Sequence, residues 1–113
     1  MANVDSYIMK FDPEVQRRLK IIRSAGLDIF QNAEEKIYHA VPTFIANGKD
    51  ILNYGAYKNH ITLYIGYELV HILKNKYPQY QYTKSAMKIL NTDNFQDELI
   101  QEICVMLYHF MDG

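Results

Sequence analysis

The pair Asn47-Gly48 constrains this chain more than any other feature. Around it, Ile37, Tyr38, Val41, Phe44, Ile45, Ile51, Leu52, Tyr54, Tyr57, Ile61, Leu63, Tyr64 and Ile65 are β-branched, aromatic or leucine, the types that suit a pleated, half-buried surface. A two-residue type I′ turn needs φ > 0 at both central positions, and Asn followed by Gly meets that demand at little cost. The stretch from Glu34 to Gly66 therefore reads as a strand, a break at Pro42, and two linked hairpins. Pro42 has no N–H to give to a ladder, which predicts a strand end or an edge. Lys58-Asn59 is a weaker second turn, with Asn at its second position.

The second hairpin has a testable register. With Lys58-Asn59 as a two-residue loop, Tyr57 faces His60, Ala56 faces Ile61, Tyr54 faces Leu63 and Leu52 faces Ile65. Paired residues share a sheet face. One face then carries Leu52, Tyr54, Ala56, Ile61, Leu63 and Ile65, which is a core. The other carries Asn53, Gly55, Tyr57, His60, Thr62 and Tyr64, polar and aromatic. A slip of one residue would turn the aliphatic set outward.

The helices follow from caps and stripes. Residues 5–10 read as a short opening helix. Asp12, Pro13 and Glu14 start a longer one, whose apolar stripe is Val15, Leu19, Ile22, Gly26, Ile29 and Ala33. Gly26 within the stripe implies either a close approach of the sheet or a weak point in the helix. Gln16, Arg17, Arg18, Lys20 and Arg23 form its expected solvated face. Glu68 to Lys74 reads as a short helix with Leu69, Ile72 and Leu73 inward and His71 exposed. Residues 79–90 hold one last strand, an edge kept soluble by its lysines. Thr92, Asp93 and Asn94 are cap candidates for a final helix. Its stripe is Phe95, Leu99, Ile103, Leu107 and Phe110, widened by Ile100, Cys104 and Met111. Cys104 on that stripe reads as a small buried hydrophobe. The expected architecture is α+β: an antiparallel sheet of about five strands in a single domain over residues 1–113. The first long helix and the last helix pack together on one face of it.

Composition narrows the function classes. The chain has 113 residues, a net charge of −1 and one cysteine. With so small a net charge, no broad basic field argues for nucleic acid or an anionic membrane. No apolar run reaches the length of a membrane span. Residues 1–10 contain Asp5 and Ser6 and lack a secretory signal core. A lone cysteine excludes an internal disulfide and fits the cytoplasm. The chain has no glycine-rich phosphate loop, no paired cysteines, no HExxH and no GxSxG, so a non-enzymatic role is expected.

Glu34-Glu35-Lys36-Ile37, Pro42-x-Phe44, Asn47-Gly48-Lys49 and Tyr57-Lys58-Asn59-His60-Ile61-x-Leu63-Tyr64 occur in the order of the central motif of the YdhG-like domain family, which the chain resembles from about Tyr7 to about Met111. These are small bacterial proteins of mostly uncharacterised role, also described as frataxin-like intracellular iron chaperones. The resemblance implies a frataxin-like α/β sandwich and iron as a ligand. Glu34 and Glu35, at the entrance of the first strand, match the family motif, and their oxygens suit a hard cation. The acidic first helix of frataxins is replaced by a cationic one bearing Arg17, Arg18, Lys20 and Arg23. Ile65 stands where relatives have proline. In the last strand Lys84 and Lys88 match the family's basic positions, while the neighbouring glycines are absent.

The residues themselves offer a second candidate cluster: Tyr57, Lys58, His60 and Tyr64, with Lys84 or Lys88. Histidine titrates near neutrality, and tyrosine gives an aromatic wall with a polar tip. Such a face suits a small anionic or aromatic ligand, a protein partner or a second copy of the chain. It is equally what a solvated sheet face with cross-strand packing would look like.

Overall fold

A computed structural model describes residues 3–112. The elements are α1 (Val4–Met9), α2 (Pro13–Ile29), β1 (Glu34–Tyr38), β2 (Val41–Ala46), β3 (Lys49–Ala56), β4 (His60–Tyr64), α3 (Tyr67–Lys76), β5 (Gln81–Tyr82), β6 (Ala86–Leu90) and α4 (Asp97–Asp112). The strands form one antiparallel sheet in the order β1-β2-β3-β4-β6-β5. No helix among the described residues is long and apolar enough to cross a membrane.

The β2–β3 hairpin turns at Asn47-Gly48, with φ of 54° and 75°. The β3–β4 register is also the expected one, pairing Tyr54 with Leu63 and Ala56 with Ile61. Its loop is not a type I′ turn, because neither Lys58 nor Asn59 takes a positive φ. It is held from outside instead: the Asn91 N–H donates to the Asn59 carbonyl at 2.8 Å, and the Asn91 side-chain amide donates to that of Lys58.

The expected break at Pro42 is corrected. The chain reverses two residues earlier, at His39 and Ala40, with φ of 55° and 68°, an uncommon demand on two non-glycine residues. Pro42 is then the second residue of β2, opposite Ile37. β2 is an interior strand, and its ladder with β3 begins at Thr43, so the missing N–H falls beyond the end of that ladder. The region from 79 to 90 is not one strand but two. The two-residue β5 forms the edge and shields β6, which makes the sheet six-stranded.

All four helices cover one face. Asp12 caps α2 by accepting from the Val15 N–H at 3.0 Å. The Gly26 stripe makes the close approach that its position implied. A Cβ there would lie 2.3 Å from the Phe44 ring, so only glycine lets α2 settle on β2. Phe44, Tyr54, Leu19, Ile22, Leu52, Ile61 and Leu63 are fully buried in the resulting core. Cys104 is buried in it as well, and burial pushes its thiol up to about 12.

Three helix expectations change. Ile72 is exposed and Val70 takes its place facing the core; Phe110 is exposed too, and the Met111 side chain lies outside the described residues. α4 begins at Asp97, so Phe95 packs ahead of it, and Asp93 turns back to accept from the Leu90 N–H. The face of α2 read as solvated is largely neutralised and partly buried. Arg17 is doubly bonded to Glu14. Arg18, 5% exposed, bonds Glu14 and the carbonyls of Leu90 and Asp93 and lies over the Phe95 ring. Arg23 reaches Asp5 and Glu35. The arginine pairs hold Glu14 down to about 2.

Candidate functional site

Strand parity decides which candidates meet. Alternate residues of a strand point to opposite faces. In β1 this sends Glu35 inward, opposite Phe44, and Glu34 outward, opposite Ile45. Glu35 is half-buried with its side chain turned in, accepting 2.8 Å from Arg23 Nε and 2.6 Å from the Tyr54 hydroxyl. Burial, followed by the bond to Glu35, drives the Tyr54 hydroxyl far above its ordinary range. Glu34 is exposed and its nearest charge is Lys36, at 3.7 Å. The two carboxylates are therefore not brought together. Among the described residues no group of three or more His, Cys, Asp or Glu side chains is placed to hold a metal ion.

On the outer, helix-free face the reverse happens. Tyr57, His60 and Tyr64 converge. The Tyr57 and His60 rings stack with centroids 5.3 Å apart and planes 27° from parallel, as their facing register positions require. The Tyr57 and Tyr64 hydroxyls are 3.2 Å apart and hydrogen-bonded. That bond, with partial burial, pushes Tyr57 up to about 12. Gly55 makes the arrangement possible. A Cβ at that position would lie 2.8 Å from Val41 Cγ1 and 3.1 Å from the Tyr57 hydroxyl, so the tyrosine lies across the strand where any other residue would lift it away.

The bridged tyrosines form a ridge between two grooves. One, of about 250 Å³, is lined by His39, Val41, Asn53, Tyr57 and Tyr64. The other, of about 380 Å³, is lined by Tyr57, His60, Thr62, Tyr64, Thr83, Ala86 and Lys88. Its floor is low because Thr62 and Ala86 are small, and its walls are high because Tyr57, His60 and Tyr64 are not. His60 is held below its ordinary range, first by burial and then by the Lys88 ammonium, both of which favour the neutral imidazole. Larger crevices lie between α2 and α4 and at the N-terminal end of α3. Neither gathers a comparable set of aromatic and hydroxyl groups.

The other two lysine candidates fall outside both grooves. Lys58 sits on the β3–β4 loop and contributes only its carbonyl, to Asn91. Lys84 lies in the turn before β6, whereas Lys88, opposite Thr62 in the ladder, takes the position over the groove. His39 also lines the first groove, and no sequence motif marks it. Only the turn at 39–40, which no turn-forming residue announces, brings it to the first groove, with its ring 4.1 Å from that of Tyr38.

No family model matches the chain, and no curated protein does. Among solved structures, a crystal structure of a DUF1801-family protein, YdhG of Bacillus subtilis, superposes with a TM-score of 0.79 at 17% identity, covering 96% of this chain and 88% of that one. The likeness establishes a shared YdhG-like fold.

Proposed function

We propose that this chain is a non-enzymatic binding domain that takes a small organic molecule on its outer sheet face, in the groove walled by Tyr57, His60 and Tyr64. The observation that carries the reading is the convergence itself: a stacked ring pair and a hydroxyl bridge surround a low floor. The volume lies near the lower end of the range typical of small-molecule sites. A binding role fits better than catalysis. Tyr57 is pushed away from the range useful for proton transfer at neutral pH, and no carboxylate orients His60 among the groove residues. A cytoplasmic setting suits the single buried thiol.

The iron-carrier role implied by the family resemblance would rest on Glu34 and Glu35, which leave β1 on opposite faces. Ferrous iron titrated anaerobically, with magnesium as control, tests it. Saturable iron binding that disappears in the Glu34→Gln, Glu35→Gln double variant would restore the carrier reading.

The binding reading is tested by a thermal-shift screen of small organic molecules against the wild type and Tyr57→Ala. A ligand at about 100 times its Kd stabilises by about 2.7 kcal/mol. Stabilising compounds whose effect vanishes in the variant support the groove. Compounds that act equally on both place binding elsewhere. A concentration-dependent dimer that Tyr57→Ala dissolves would make a second copy the occupant.

A further inference from the structure

The groove has a chemical polarity that narrows its ligand, and the inference rests on the reading of that groove as a ligand site. Tyr57, His60 and Tyr64 give the groove aromatic walls, and Thr62 on its floor, with Thr83 and Lys88, gives it hydrogen-bond donors. Lys88 is the one charged residue lining it, and it forms no ion pair among the described residues. Thr83 Oγ1 accepts from the Ala86 N–H, which leaves its own O–H to donate.

Thr62 adds an independent sign. It is 3% exposed and its hydroxyl bonds no described residue; among the described residues no fully buried side-chain polar atom lacks a partner, so the hydroxyl is accessible and opens into the groove. Thr43, on the same face, shows how such a residue is otherwise satisfied: its hydroxyl engages the carbonyls of Tyr38 and Val41 and the amide of Asn53. The Thr62 hydroxyl is thus left free to donate to a molecule in the groove.

We propose that the groove binds a small aromatic carboxylate. Its ring would pack against Tyr57 and Tyr64, and its carboxylate would accept from the Lys88 ammonium and the Thr62 and Thr83 hydroxyls. A single ammonium balances a single negative charge. A phosphate dianion would call for more, commonly a guanidinium fork or a helix N-terminus, and the lining has neither. Partial burial of the groove strengthens the ion contact relative to bulk water.

Titration of ¹⁵N-labelled protein with sodium benzoate, benzamide, cyclohexanecarboxylate and inorganic phosphate tests this. Benzoate is expected to shift the amides of Thr62 and 86–88. It should bind at least about tenfold more tightly than benzamide, the worth of one charge-assisted bond, and Lys88→Gln should erase that preference. Cyclohexanecarboxylate should be weaker than benzoate, and phosphate should leave the groove unshifted. Equal binding of benzamide overturns the anion and leaves the binding face standing. Equal binding of cyclohexanecarboxylate overturns the aromatic requirement, and phosphate shifting these amides as benzoate does overturns the carboxylate. Silence from all four, while other compounds still depend on Tyr57 in the thermal screen, overturns this ligand class alone. Silence in both experiments removes the groove as a site.

Discussion

Tyr54 and Tyr57 stand three residues apart and end on opposite sides of one sheet. Tyr54 is completely buried, its ring stacked on Phe44 and its hydroxyl fixed by Glu35, which Arg23 fixes in turn. Tyr57 is 42% exposed, and its polar tip meets only another exposed tyrosine. Within the outer face, Thr43 is saturated by Tyr38, Val41 and Asn53, while Thr62 in the groove is open. The inner face spends its polar groups on one another, which serves stability. The groove keeps aromatic area and donors unspent, and that is what recognition of another molecule requires.

The contrast can be broken in order of effect. Phe44→Ala empties the site under Gly26 and should lower the unfolding free energy by about 3–5 kcal/mol in urea titrations followed by circular dichroism. Glu35→Ala strands Tyr54 and leaves Arg23 with Asp5 alone. Arg23 is partly exposed, which tempers the loss to about 2–3 kcal/mol. Tyr57→Ala should cost about 1 kcal/mol or less while removing ligand-induced stabilisation. If it destabilised as much as Phe44→Ala, the outer face would be structure, not site.

The smallest effect concerns His60. Its depressed pKa means that the unfolded chain takes up the proton first, so its contribution to stability is present above pH 6.5 and lost as pH falls toward the folded value. An NMR titration should find His60 below 6.5. Lys88→Gln should return it part of the way, since burial remains the larger cause. No movement in that variant would separate Lys88 from the groove.

Much of this was legible in residues. Asn47-Gly48 set the first hairpin. The parity of Leu52, Tyr54 and Ala56 against Tyr57, His60 and Tyr64 set the faces of the second and brought the three candidate residues together. The same parity separates Glu34 from Glu35, although the motif they match presents them as a pair. The turn at His39 and Ala40 was not legible, because alanine disfavours positive φ, histidine is only a weak signal for it, and the hairpin imposes it on both. The burial of Arg18 was hidden as well. Its partners at Leu90 and Asp93 lie more than seventy positions away, and no helical spacing points to them.

The most direct test of the outer face is an amide map: ¹⁵N NMR spectra of the protein with the stabilising compounds of the thermal screen. The account predicts shifts concentrated on 57–64 and 86–88, with the α2–α4 crevice quiet. Shifts centred on that crevice, or at Asn47 to Asp50 beside the start of α3, would contradict it and move the site off the sheet face.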